Sequence, residues 1–172
     1  MKISKLTSLV FVLGAILYSS KVDAQNVPNI LESGRESRSL LVQVNPQDAE
    51  FYFKRSGVQF QSGDLKGAIE DYNQALRLNP NFALAYINRG AARRKLGDFT
   101  GAIEDFNQAL RLNPNDALIY YKRGLVHNKL GNMKRAITDL QKASELFQQQ
   151  GRIAEYQSTL DLIKIINIQI TK

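Results

Sequence analysis

Apolar and small residues recur along this chain at the spacing of one helical face. Ala68, Tyr72, Ala75 and Leu76 fall at i, i+4, i+7 and i+8, while Glu70, Gln74 and Arg77 lie off that face. The stretch therefore predicts an amphipathic α-helix. Its letters, AIEDYNQALRLNPN over 68–81, return as AIEDFNQALRLNPN over 102–115, with Tyr72 against Phe106 the one change. Extending the comparison to 49–82 against 83–116 gives 19 identities in 34 positions. The chain thus contains an internal repeat, and its period governs the reading of the fold.

Breakers fall at the same period. Asn79-Pro80 and Asn113-Pro114 end the second half of a unit, because proline disfavours helical dihedrals in the residue before it and has no N–H for the ladder. Gly63-Asp64, Gly97-Asp98 and Gly131-Asn132 divide each unit in two. Glycine can take the left-handed geometry that closes a helix, and the Asp or Asn that follows can cap the next one. Each unit is predicted to be helix, glycine turn, helix, proline turn.

These residues resemble the tetratricopeptide repeat family, whose 34-residue unit carries an early aromatic, a glycine one turn on, then Gly-Asp, Ala, an aromatic, Ala and Pro. Residues 83–116 match at Tyr86, Gly90, Gly97, Asp98, Ala102, Phe106, Ala109 and Pro114. Residues 49–82 match at Tyr52, Gly63, Asp64, Ala68, Tyr72, Ala75 and Pro80, with Ser56 in place of the glycine. Residues 117–150 keep Tyr120, Gly124, Gly131, Ala136 and Ala143, with Leu140 for the aromatic and Gln148 for the proline. The resemblance implies an all-α, right-handed α-solenoid of three helix hairpins (49–82, 83–116, 117–150) plus a C-terminal capping helix over 151–168. A fold signature of this kind says little about the partner.

Upstream, LVQVNPQ (41–47) aligns with ALRLNPN one period earlier, but Gly34 and Arg38 occupy the would-be core positions. Residues 25–44 are accordingly read as a flexible lead-in holding an eroded repeat end, and 45–170 as the repeat domain. Downstream, Ile153, Tyr156, Leu160 and Ile163 fall at helical spacing and are expected to cover the last hairpin. The β-branched run Ile163, Ile165, Ile168, Ile170 lowers helix propensity. It predicts fraying beyond Ile166 or, on a second reading, a contact strip for another chain.

Residues 1–24 change the picture of compartment. MKISKLTSLVFVLGAILYSSKVDA has two early lysines, an apolar run from Leu6 to Tyr18 and the small-residue site Val22-Asp23-Ala24. That order reads as an export signal peptide cleaved after Ala24, with an apolar run too short for the ~20 residues of a spanning helix. A membrane is implicated only if it stays uncleaved. The expected location is a periplasm, the exterior or a comparable lumen. The chain has no cysteine, which excludes disulfides, thiolate metal sites and lipoprotein attachment. The leader holds three lysines and one aspartate, so the remainder keeps 20 basic against 15 acidic residues, a net +5.

Stacked hairpins present their first helices as a concave surface, and a functional site is expected there. The family geometry places Phe53, Leu84, Ile87, Asn88, Arg94, Lys95, Leu118, Tyr121, Lys122 and Lys129 on it. Phe53, Ile87 and Tyr121 form an apolar ladder with Leu84 and Leu118 beside it, while Arg94, Lys95 and Lys129 gather at one edge. Phe60 and Leu125 either join this surface or pack between helices. One specialisation of the family grips a terminal carboxylate with Lys, Asn, Asn, Lys and Arg. Those places hold Phe53, Gly57, Asn88, Leu118 and Lys122 here, so the clamp is not expected. The implied partner is a protein or peptide segment, with an acidic flank against the basic edge.

Two alternatives compete. One is a polyanion, nucleic-acid or acidic-surface binder acting through the basic edge of Arg94, Lys95 and Lys129, favoured by the net charge; Arg55, Arg89 and Arg123, recurring at the period, also invite it. Each, however, precedes Asp71, Asp105 or Asp139 by the same interval, so an ion pair within each hairpin is the simpler account. Self-association through the C-terminal isoleucines is the other. Catalysis is not indicated: His127 is the one histidine and has no second ligand at metal spacing. No nucleophile elbow or phosphate-cradling loop occurs, and no cofactor is called for.

Overall fold

The computed structural model describes residues 48–171. The export signal, the lead-in and the Asn45-Pro46 repeat end lie outside the described residues. Seven helices occur within them: α1 (Ala49–Ser62), α2 (Leu65–Leu78), α3 (Ala83–Lys95), α4 (Phe99–Leu112), α5 (Ala117–Lys129), α6 (Met133–Gln149) and α7 (Ile153–Ile170). Each packs on its neighbours in sequence, and α3 also touches α5, the first helix of the next hairpin. The fold is an all-α, right-handed solenoid of three hairpins with a C-terminal helix.

Local chemistry draws the boundaries. Gly63, Gly97 and Gly131 all adopt positive φ, at 88°, 84° and 76°, the geometry an L side chain resists. Asp64 and Asp98 then accept from the amides of Gly67 and Gly101 at 3.0 and 2.9 Å. Asn132, expected to act likewise, makes no side-chain cap bond.

The third hairpin departs from the period for a reason visible in its letters. With Gln148 where proline stands in the others, α6 runs 17 residues against 14 in α2 and α4. It stops instead at Gly151, with φ 69°. The extra length delays the entry to α7 and rotates its register. Ile153, expected to cover the last hairpin, is consequently 57 % exposed, while Thr159 and Ile166 are fully buried. Helix α7 also continues to Ile170, past the expected fraying point. Packing of Ile166, Leu162 and Ile163 against Ala136 and Leu140 outweighs the small propensity cost of β-branched residues.

The core is a chain of small clusters. Ala68, Tyr72, Ala75, Leu76 and Ala85 form one, and Ala102, Phe106, Ala109, Leu110, Ile119 and Val126 the next. The small members let the helices of a hairpin approach closely. A Cβ placed on Gly90 would lie 2.9 Å from Cε1 of Phe106, and one on Gly124 would lie 3.0 Å from Cγ of Leu140. Ser56 holds the same place in the first hairpin, fully buried, with its hydroxyl donating to the Phe53 carbonyl at 2.7 Å.

Gly90→Ala should therefore destabilise by about 1–3 kcal/mol through overpacking, read as a lowered melting midpoint. Gly57→Ala, where an added Cβ meets nothing within 4 Å, should be neutral or stabilising by up to about 1 kcal/mol.

Candidate functional site

The candidate face belongs to α1, α3 and α5. Phe53, Ile87 and Tyr121 are each half-buried and share their surface with helix packing. Phe53 lies 4.6 Å from Phe82 and 6.0 Å from Tyr72, centroid to centroid. Ile87 packs against the second cluster, and Tyr121 meets Phe147 edge-on at 6.4 Å. Leu84 and Leu118, one period apart in the first turns of α3 and α5, are freer, at 55 % and 39 % exposed. Phe60 packs against the first cluster and carries the Lys95 ammonium 4.4 Å above its ring, so it serves both readings offered for it. Leu125 is half-buried.

Basic groups collect beyond this apolar stretch. Arg94 and Lys95 occupy the last turn of α3, and Lys129 that of α5, where cations also complement the helix dipole. Lys122 is half-buried near Arg94. Burial first, then the Arg94 charge, holds the Lys122 ammonium below its ordinary pKa, with Asp116 opposing. None of Arg94, Lys95, Lys122 and Lys129 has an ion-pair partner among the described residues. Asn88 is half-buried and, with Ser56, counters the burial that raises the Tyr72 phenol.

The arginine ladder is a structural device. Arg55 donates through Nε and Nη2 to Asp71 at 2.5 and 2.6 Å. Arg123 does the same to Asp139 at 2.8 and 2.6 Å, and Arg89 binds Asp105 with contacts down to 2.5 Å. The carboxylates are buried. A further connection is absent from the sequence reading. The Nη1 of Arg89 donates to Asn73 at 2.6 Å, and that of Arg123 to Asn107 at 2.7 Å. Each guanidinium thereby joins its own hairpin to the second helix of the preceding one. The signal was available, since Asn73 and Asn107 recur at the period and precede Arg89 and Arg123 by one fixed interval. Arg55, Arg89 and Arg123 also lie 5.3–5.5 Å from the rings of Tyr52, Tyr86 and Tyr120.

His127 occupies a place held by Gln59 and Arg93 in the earlier hairpins. Arg93 donates to Asp105 at 3.0 Å and to the Gly101 carbonyl at 3.2 Å. Gln59, with its amide oriented to satisfy its neighbours, does the same to Asp71 and Gly67 at 2.9 and 3.2 Å. The shorter imidazole holds Nε2 4.0 Å from Asp139 and leaves Nδ1 buried without a partner. The ring is buried, at 7 % exposed. No set of His, Cys, Asp and Glu side chains among the described residues is placed to hold a metal ion.

Comparison with known proteins agrees with this geometry. Family models described as "TPR repeat" match residues 57–97 and 90–131, and one described as "Tetratricopeptide repeat" matches 117–150. The chain belongs to the tetratricopeptide repeat family. No curated protein matches it in sequence. Among solved structures, it is similar to the first TPR of Spaghetti (RPAP3) bound to the HSP90 peptide SRMEEVD, with TM-score 0.66 and 23 % identity, covering 76 % of this chain and 99 % of that one. It is also similar to the TPR2B domain of yeast Sti1 in a complex with pHsp70 (0.66, 24 % identity, 70 % and 97 % covered). The Yersinia enterocolitica type III secretion chaperone SycD, in complex with a peptide of the translocator YopD, gives 0.66 at 17 % identity, with 70 % and 92 % covered. At these identities the likeness is one of fold.

Two outcomes follow from the buried polar groups. Arg123→Ala should cost about 3–5 kcal/mol, because it leaves the buried Asp139 with no cation but the imidazole 4.0 Å away and frees Asn107; chemical denaturation measures it. For His127, burial is the largest influence and holds the imidazole below its ordinary pKa; the Arg123 and Arg135 charges act the same way and Asp139 opposes them. The unfolded chain then binds more protons, so stability is lost as pH falls through the usual histidine range toward the lower folded value. His127→Gln, which copies Gln59, should abolish that part of the loss in melts taken at pH 8 and pH 5.

Proposed function

We propose that the chain is a non-catalytic binding module that holds an extended or helical peptide segment of a partner protein along the face formed by α1, α3 and α5. The observation that carries this reading is the pair Leu84 and Leu118, exposed one period apart in the first turns of α3 and α5, with Lys122 one turn beyond Leu118 and the uncompensated cations Arg94, Lys95 and Lys129 in the last turns of the same helices. Exposed leucines contribute affinity when covered, about 1.5–3 kcal/mol for a fully buried side chain. Exposed ion pairs contribute roughly 0–1 kcal/mol, so the cations select an acidic flank and orient the segment.

Several structural neighbours hold peptides of partner proteins, and this supports a peptide ligand without naming it. The carboxylate-clamp mode is not part of the proposal, because Phe53, Gly57 and Leu118 replace three of its polar groups. A polyanion role would fall to the basic edge of Arg94, Lys95 and Lys129, because the arginine ladder is committed to aspartate and asparagine. Export rests on the leader, Met1 to Ala24, and would place the partner in the same compartment.

The test begins with capture of a partner from the exported fraction and its identification by mass. Leu84→Ala combined with Leu118→Ala should weaken binding of the captured segment by about 10–100-fold while leaving the melting midpoint unchanged. Affinity should fall only shallowly with salt. Binding that is indifferent to both leucines, or that collapses with salt at the steep slope of counterion release, would overturn the proposal.

A further inference from the structure

Helix α7 buries one side only. Thr159 and Ile166 are fully covered, and Tyr156, Leu162 and Ile163 pack on the last hairpin. The opposite side carries Ala154, Ser158, Asp161, Ile165 and Ile168, all exposed, with Ile165 at 54 % and Ile168 at 57 %. Their spacing of four, three, four and three residues is the seam period of paired helices and stays in line along the helix.

This strip is complementary to itself when reversed. Its first half is small (Ala154, Ser158) and its second half large (Ile165, Ile168), with Asp161 midway. The Ser158 hydroxyl donates to the Ala154 carbonyl at 2.9 Å and so brings no unsatisfied donor to a contact. Asp161 pairs with Lys164 at 3.2 Å, both well exposed, so the one charge on the strip has its counter-ion at the strip's edge. We propose that α7 pairs antiparallel with α7 of a second copy, about a two-fold axis at Asp161. Ile168 then lies against the partner's Ala154 and Ile165 against the partner's Ser158, each large side chain over a small one. The two aspartates at the axis are flanked by two Lys164 ammonium groups. A surface shaped for an unrelated protein has no reason to match its own reverse in size while placing a lysine beside each aspartate at the axis, and this favours a second copy as occupant.

Pairing through this side leaves the exposed residues of α1 and α3 free, so each dimer displays two candidate peptide faces. Two segments on one partner then bind with an effective-concentration gain. The pairing itself stands whether or not that face binds peptides.

The full chain has no cysteine, so introduced thiols report without interference. Light scattering should give twice the chain mass for the unaltered protein. Ile165→Lys with Ile168→Lys should give the single mass with helical circular dichroism retained. Ser158→Arg, at an exposed position with no role in the monomer's packing, should do the same and guards against a folding defect in the lysine variant. Oxidation of a mixture of Ser158→Cys and Ile165→Cys proteins should cross-link one variant to the other in preference to itself. A monomeric unaltered chain, a dimer that survives the Lys or Arg substitutions, preferential like-to-like cross-linking, or a different protein recruited to α7 in place of the second copy would each overturn the pairing.

Discussion

A Cβ on Gly90 would come within 2.9 Å of the Phe106 ring, and that close approach of α3 to α4 sets the geometry of everything around it. With so little space between the helices, the facing residues have to be small: Ala68, Ala102 and Ala136 are completely buried at equivalent places. Close approach also brings backbone-proximal polar groups within reach across the hairpin. Arg89 and Asp105 meet at 2.5 Å only because the helices that carry them are held so near. The first hairpin tolerates Ser56 because its hydroxyl returns to its own backbone.

Charge follows from this packing. A net +5 over the repeat domain and its lead-in suggests a surface seeking an anion, yet the recurring arginines are consumed internally. Each binds a buried aspartate, and two of them also bind the asparagine of the preceding hairpin. Such a guanidinium acts as a fastener between repeats, and a buried carboxylate without it would be strongly destabilising. The cations left without acidic partners on this face are those near the ends of α3 and α5, together with Lys122. The acidic flank proposed for a partner is thereby narrowed to one region.

Two different surfaces remain for other chains. The face of the first helices has aromatic members half spent on internal packing, so any affinity proposed for it rests on a few exposed aliphatic side chains. The outer side of α7 is a regular strip of graded size with balanced charge. The demands of the two proposals differ: the first asks a face to accept an irregular segment, the second asks a strip to accept a copy of itself. Their separation lets both be occupied together.

The 34-residue period, the turn chemistry at Gly63, Gly97 and Gly131, the helix pairs and the Arg–Asp bridges were all legible in the letters. Each depends on contacts between residues close in sequence or on dihedral preferences that a residue type carries with it. The Arg89–Asn73 and Arg123–Asn107 links had a periodic signal too, but their meaning required knowing how one hairpin leans on the last. The half-burial of Phe53, Ile87 and Tyr121 and the exposure of Ile153 were not legible. A helical face says which residues point together; it does not say how far the neighbouring helix covers them. The register of α7 turned on where α6 stops, and its extension to Ile170 on what Ile166 finds to pack against. Sequence alone determined the repeat and its internal fastenings, because these are local and recur. Tertiary structure alone decided which apolar residues stay uncovered, because burial is a property of the neighbour as much as of the residue.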